Sequence, residues 1–202
     1  MDQNIWRERI LRRSDMTGRL THLTKGADND AAFDTLWKIL KDKKLIAGSV
    51  YVIGEQRVVC FQETPLGALE ENLFFEKKLK EDSNDHVRYL PFGLRFNKGS
   101  LYIKGARPVV YGDPDELKSV MPTKEHWRIV KHNLSDPNQI VDWTHEREWR
   151  HPGDLDFNYG DIEVIVEGHE SYKKFVNRCI DENRLDVLKE INGIIPLFSV
   201  VG

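Results

Sequence analysis

The chain has only two cysteines and no hydrophobic run long enough for a membrane span. Cys60 and Cys179 stand alone in apolar surroundings ("RVVCF" and "FVNRCI"), without the paired spacing of a structural zinc site. This pattern predicts buried, reduced thiols in a cytoplasmic protein. The longest apolar runs, such as "IIPLFSVV", fall far short of the ~20 residues that cross a bilayer, and no signal-peptide pattern opens the chain. We therefore expect no membrane partner.

Several motifs of well-known active sites are also missing. The sequence contains no GxGxxG, no P-loop and no GxSxG, and its seven histidines show no HxH or HExxH spacing, so we expect no metal. Charge of one sign is not in excess either, because 30 basic and 33 acidic residues give a net charge of -3. This balance excludes a global attraction to nucleic acid but leaves room for a local basic patch.

What the chain does have is enough apolar material for one core. Its 202 residues, 40% hydrophobic and 10% aromatic, fit a single domain spanning residues 1–202. Residues 1–19 contain five arginines and predict a basic N-terminal helix or arm. Nucleic-acid binding by such an arm is one functional interpretation, and it predicts a binding affinity that falls steeply as the salt concentration rises.

The order of predicted elements favours an α+β fold. "DNDAAFDTLWKILKDKKL" is typical of a capped amphipathic helix, and Thr64 followed by Pro65 predicts the start of a second one. Short strands punctuated by glycine and proline follow, and we include "GSVYVIG" and "GSLYIKG" among the strands. "HWRIVKHNL" fits either a helix or a strand. The end of the chain predicts a strand, two helices and a strand.

The run "WTHEREWRHPGD", Trp143 to Asp154, has too much charge for a buried strand and too much indole for a loop. As a strand, its alternation places Glu146, Glu148 and Arg150 on one face. Such a face is either a self-neutralising surface strand or one wall of a polar site. Pro152 and Gly153 end the element.

Two other features can each be interpreted either as part of a ligand site or as ordinary structure. His22, within "LTHLT", either donates a hydrogen bond to a ligand or is an ordinary half-buried side chain. Aromatic residues of the middle strands, with basic residues between them, either stack on a ring of a ligand or form one face of an ordinary sheet. The aromatic set comprises Tyr89, Phe92, Phe96, Tyr102 and Tyr111.

Taken in order, "THLT", "VVCFQETPLGAL", "YLPFGLRFNKG", "GARPVVYG" and "EREWR" resemble the AbiGi type of abortive-infection proteins and related bacterial defence proteins. The resemblance covers roughly residues 20 to 155. That group is similar in layout to the DarT-like branch of the ADP-ribosyltransferases, which cleave NAD and transfer ADP-ribose. The resemblance implies a central, mostly antiparallel split sheet flanked by helices. It also implies NAD as substrate without a metal, a nucleic acid or protein as acceptor, and a cognate toxin or antitoxin as a possible partner.

The resemblance also implies roles for particular residues. Glu148 would orient the nicotinamide ribose and stabilise its developing positive charge, and Glu146 would help to position the acceptor. The NAD-binding residues implied in the same way are His22, supported by Thr24, for the adenosine or the nicotinamide-side ribose, Tyr89, Phe92 or Tyr111 for the nicotinamide ring, and Arg150 or an arginine of the N-terminal segment for the pyrophosphate.

Two departures from the family pattern favour a second function. The sequence offers no clear counterpart of the arginine that DarT-like enzymes place near NAD, and no "S-T-S" stands in the second strand. A non-catalytic antitoxin or sensor of the same fold, which binds a nucleotide or a partner protein, is therefore the alternative to an NAD-dependent transferase in phage defence.

Overall fold

The chain folds around a seven-stranded sheet, seen in a computed structural model that describes residues 2–83 and 89–199. The helices are α1 (Gln3–Leu11), α2 (Asn29–Asp42), α3 (Leu66–Ser83), α4 (Lys98–Ile103), α5 (Pro114–Val120), α6 (His169–Asp181) and α7 (Leu185–Glu190). The strands are β1 (Arg19–Leu23), β2 (Lys44–Leu45), β3 (Val58–Gln62), β4 (Gly93–Asn97), β5 (Arg107–Pro108), β6 (Val110–Gly112), β7 (Ile129–Lys131), β8 (Glu148–Pro152), β9 (Leu155–Asp156), β10 (Ile162–Val166) and β11 (Ile194–Pro196).

The large sheet has the order β11-β10-β4-β1-β3-β8-β5, and its pairs are antiparallel except for β10 with β11. The two-stranded sheets β2-β9 and β6-β7 stand beside it. Helices α6 and α7 lie in the chain between β10 and β11, the parallel pair of the large sheet, which confirms the predicted strand–helix–helix–strand ending. A single-domain α+β fold with a mostly antiparallel sheet is therefore confirmed.

The predicted amphipathic helix is present as α2. Asp28 caps it by accepting a hydrogen bond from the Ala31 backbone N–H at 2.8 Å. Its apolar stripe is buried against one face of the sheet and consists of Phe33, Leu36, Trp37 and Leu40. Helix α6 adds Phe175 and Cys179 to the same core, so this face of the sheet carries the main apolar core.

Two segments expected as strands are not strands. "GSLYIKG" contributes to α4 because the Asn97 side chain accepts a hydrogen bond from the Ser100 backbone N–H at 3.0 Å and starts a helix. "GSVYVIG" forms a turn in which Tyr51 adopts a left-handed φ of 60°. The undecided "HWRIVKHNL" divides into the end of a short 3-10 helix, Thr123–Arg128, and the strand β7. Arg88, of the predicted strand "RYLPFGLRFN", and residues 200–201, of the predicted strand "GIIPLFSVV", lie outside the described residues.

The N-terminal segment forms a helix, but most of its arginines are paired with acids. Arg12 lies 3.8 Å from Glu8, and Arg13 lies 2.5 Å from Asp15. Arg19 belongs to β1 and contacts Glu163, 2.8 Å away. Three of the five arginines thus have acidic partners, which weakens the interpretation of this segment as a nucleic-acid-binding arm.

Candidate active site

The run from Trp143 to Asp154 is not one strand. Residues Thr144–Glu146 form a single 3-10 turn, which begins where the Asp142 carboxylate accepts hydrogen bonds from the Thr144 backbone N–H and hydroxyl. Arg147 then adopts a left-handed φ of 44°, and the strand starts only at Glu148. The predicted alternation therefore holds for Glu148 and Arg150 but is wrong for Glu146. Both glutamates are nevertheless buried.

Glu148 stands at one end of a row of polar side chains that crosses five strands. Residues in register on neighbouring strands point to the same side of a sheet. The register pairs Glu148 with Gln62, Gln62 with Thr21, Thr21 with Arg95, and Arg95 with Glu163. We call these five residues the polar row. It lies on the face opposite the main core, beside the apolar contact of α3 with the sheet.

Glu148 and Arg150 form a nearly buried ion pair. Arg150 Nε donates to Glu148 Oε1 at 2.8 Å, and the two side chains are 5% (Arg150) and 10% (Glu148) exposed. The guanidinium also donates to the backbone carbonyl of Trp127 at 2.6 Å. Arg150 therefore fixes the position of the Glu148 carboxylate and ties β8 to the segment before β7.

Two tyrosines border this pair. Tyr89 donates its hydroxyl proton to Glu146 Oε1 at 2.7 Å, and the Tyr111 hydroxyl oxygen accepts the Glu148 backbone N–H at 2.9 Å. Burial raises the pKa of both phenols, that of Tyr111 to about 12. Both hydroxyls are therefore protonated at neutral pH. Among the described residues, the Tyr111 O–H has no acceptor of its own, so its proton is available to a ligand.

Cys60 marks the part of this face that is open to solvent. It lies in the middle of β3, in register with Arg150, and its side chain is exposed. The expectation of a buried thiol is wrong here, although Cys179 is buried. Protein atoms surround the Cys60 thiol on its other sides, and this desolvation, followed by the charge of Glu148, raises the thiol pKa to about 12. At neutral pH the Cys60 side chain is therefore a protonated thiol on this face and not a thiolate nucleophile.

Three members of the polar row have buried polar atoms without hydrogen-bond partners among the described residues. These atoms are Thr21 Oγ1, both carboxamide atoms of Gln62, and Arg95 Nε. The residues are only 1%, 6% and 9% exposed, respectively. Leaving a buried polar group unpaired costs about 1–3 kcal/mol. Groups retained at this cost are candidates for contact with a ligand.

Replacing Thr21 with valine should raise the free energy of unfolding by about 1 kcal/mol, because it removes a buried hydroxyl that has no partner. The matched control is Thr24→Val, close by in the chain. Its hydroxyl lies 3.0 Å from the Ala32 carbonyl oxygen and 3.1 Å from that of Phe92, so its loss should destabilise the protein by about 1–3 kcal/mol. Urea unfolding measures both changes. Equal destabilisation by the two substitutions would contradict the assignment of Thr21 as unpaired.

The structure does not bring His22 and Glu148 together. Strand alternation turns His22 to the apolar face, where its ring meets Phe61 edge-on with 5.9 Å between ring centroids. Its Nδ1 lies 2.9 Å from the Cys60 carbonyl oxygen, which fixes the ring. Burial lowers the pKa of His22 and favours the neutral imidazole. The expectation of one pocket shared by His22 and Glu148 is therefore not met.

Thr24 and Phe92 lie in the packed interior. The Thr24 hydroxyl points to two backbone carbonyls, and Phe92 is 2% exposed and packs edge-on against Phe33. Neither side chain reaches the open part of the face near Cys60. Of the eight residues expected at the site, Glu146, Glu148, Arg150, Tyr89 and Tyr111 are brought together.

No family model, no curated protein and no solved structure matches this chain. Within residues 2–83 and 89–199, no group of three or more metal-ligating side chains is arranged to hold a metal ion. No helix in the same residues is long and apolar enough to cross a bilayer. The geometry of the polar face therefore carries the functional argument by itself.

Sequence reasoning missed Cys60 and Gln62 as members of this face. Both belong to "RVVCFQE", in which Cys60 was expected to be a buried thiol and Gln62 was given no role. Strand alternation places these two side chains on the same side, and the pairing of β3 with β8 then puts them beside Arg150 and Glu148. The missing signal was the pairing of strands distant in sequence.

Proposed function

We propose that this protein is an ADP-ribosyltransferase-like enzyme that binds NAD on the polar face around Glu148. The observation that carries the proposal is a carboxylate fixed by Arg150 at the edge of a face that is open at Cys60. Tyr89 and Tyr111 supply phenol rings and hydroxyls beside it. Buried carboxylates of this kind stabilise positive charge that develops on a sugar ring.

The reaction breaks the C–N glycosidic bond of NAD. Nicotinamide leaves with the bonding electron pair, positive charge builds on the ribose, and an acceptor oxygen or nitrogen then forms the new bond to the ribose carbon. The acceptor loses one proton in that step, and Glu146, the buried carboxylate that Tyr89 contacts, would receive it. Glu148 stabilises the charged ribose through its carboxylate.

Arg150 is a positioning residue in this proposal. Its guanidinium is engaged with Glu148 and with the Trp127 carbonyl oxygen, so it is not free for the pyrophosphate contact that the family resemblance implied. His22 and Thr24 take no part, because they point away from this face or into the interior. The acceptor is a nucleic acid or a protein, and the setting is bacterial phage defence or a toxin–antitoxin pair in the cytoplasm.

Glu148→Gln should reduce transfer of label from NAD to DNA, RNA or lysate protein by about 100-fold or more, the usual loss when one group that stabilises transition-state charge is removed. Incubation with NAD labelled on the adenylate side measures this transfer. Glu163→Gln is the matched control because Glu163 is a partly buried acid that also pairs with arginine, at the far end of the same face.

The two variants separate chemistry from folding. Equal losses in both would show a general effect of breaking a buried ion pair and would refute a catalytic role for Glu148. The wild-type protein must label at least one acceptor; an absence of NAD binding in calorimetry, together with no labelling, would refute the proposed activity.

The second candidate function is a non-catalytic antitoxin or sensor of the same fold that binds a nucleotide or a partner protein. The specific observation in its favour is that both Glu148 oxygens face the Arg150 guanidinium, at 2.8 and 3.4 Å. A carboxylate held in this way serves structure as well as chemistry. Stoichiometric binding of NAD without release of nicotinamide would identify this function.

A further inference from the structure

The Gln62 carboxamide is a recognition group that the proposed reaction leaves unused. It lies in register between Thr21 and Glu148, and neither its oxygen nor its nitrogen has a partner among the described residues. Its polar neighbour is the Tyr89 hydroxyl, and a hydrogen bond between them, too poorly aligned to satisfy the carboxamide, lowers the pKa of that phenol against the larger effect of burial. Gln62 is thus in direct reach of the groups that would surround the reacting ribose.

The carboxamide is buried, yet it has a route to the open part of the face. Cys60, two residues earlier on the same side of β3, is exposed. A glutamine side chain has three rotatable bonds, and rotation toward Cys60 would give up only the poorly aligned contact with the Tyr89 hydroxyl. A hydrogen bond from Gln62 to a ligand in the open region would therefore cost the protein few contacts of its own.

The chemistry of the site specifies the partner. A primary amide offers one carbonyl acceptor and an NH2 donor side by side, so it pairs with another primary amide through two hydrogen bonds. A carboxylate only accepts and would oppose the Gln62 oxygen. It would also bring negative charge toward the two buried glutamates, Glu146 and Glu148.

We propose that Gln62 binds the carboxamide of the nicotinamide group of NAD. This inference rests on the proposed NAD site and adds the residue that determines its specificity. Gln62 would hold the leaving group while Glu148 acts on the ribose. The protein should therefore discriminate NAD from nicotinic acid adenine dinucleotide, in which a carboxylate replaces the amide.

Calorimetry with both dinucleotides tests the assignment on the wild type, Gln62→Leu and Gln62→Met. The wild type should bind NAD at least about tenfold more tightly than the acid analogue, and both variants should lose about tenfold in NAD affinity, as expected for two ordinary hydrogen bonds. Their preference for NAD should shrink. The matched control is Gln56→Leu, at an exposed glutamine that contacts only the neighbouring Arg57 carbonyl oxygen.

The outcomes distinguish this inference from the function on which it rests. If the wild type binds NAD but the Gln62 variants match Gln56→Leu in affinity and preference, the role of Gln62 is refuted and the NAD site stands. If a folded wild type binds neither dinucleotide, the NAD site is refuted and the role of Gln62 falls with it. Thermal melting of each variant verifies folding, and Gln62→Met keeps the side-chain length if leucine packs poorly.

Discussion

Replacing Arg150 with methionine is expected to lower the free energy of unfolding by about 3–5 kcal/mol. The substitution leaves Glu148 buried without its cation, and breaking a buried pair from one side costs this much because the remaining charge is uncompensated. It also removes the donor to the Trp127 carbonyl oxygen. Urea unfolding followed by circular dichroism measures the change.

The Glu148→Met, Arg150→Met double variant is the matched control. Replacing both members of a buried pair with apolar groups of similar volume is often neutral or stabilising. We therefore expect the double variant to recover most of the stability that Arg150→Met loses. A single variant as stable as the wild type would show that Glu148 is not held by Arg150 in solution.

This experiment also separates the two functions proposed for the polar face. If the pair serves only structure, the double variant keeps every binding property of the protein along with its stability. If Glu148 acts on the ribose of NAD, the same variant folds but has no transferase activity. The comparison therefore uses recovered stability to show that a loss of activity is a loss of chemistry.

The helices were predictable where local signals agree with the tertiary structure. Helix α2 has a side-chain cap at Asp28 and an apolar stripe of period 3.6, and both appear as expected. Helix α4 was mistaken for a strand because its six residues are too few to show a period. Its decisive signal is the Asn97 cap and not a periodic pattern of side chains.

The candidate site was only partly predictable for a related reason. Glu148 and Arg150 share a face because they are two apart on one strand, which alternation predicts. Glu146 joins them through a 3-10 turn and a left-handed Arg147, a conformation that β-like patterning does not reveal. His22 was misplaced because the sequence does not show which side chains of β1 lie on the same side of the sheet as Glu148 of β8.

Strand pairing decides which residues reach the site, and the register depends on close contacts as well as on side-chain pattern. The Thr21–Arg95 pairing and the Leu23–Gly93 pairing belong to the same β1–β4 ladder. A substitution that separates these strands would therefore change the polar row from a distance. Gly93 is the position in this ladder where a side chain cannot be accommodated.

Gly93→Ala is expected to destabilise the protein by about 3 kcal/mol, in the upper part of the range for overpacked sites. An added Cβ would lie 2.3 Å from the His22 carbonyl oxygen and 3.1 Å from the Leu23 Cα. Both neighbours are backbone atoms of β1, so the strands must move apart to relieve the contact. Chemical unfolding of the variant measures the loss.

Gly67→Ala serves as the control for this substitution. Gly67 lies in the first turn of α3, and an added Cβ there meets nothing within 4 Å. Alanine should therefore stabilise the protein by about 0.5 kcal/mol, since glycine is the poorer helix former. Opposite signs for the same chemical change would show that the β1–β4 contact, and not the loss of a glycine as such, determines the change in stability.

Because that contact also holds Arg95 beside Thr21, a folded Gly93→Ala protein should bind NAD more weakly, whereas Gly67→Ala should bind it unchanged.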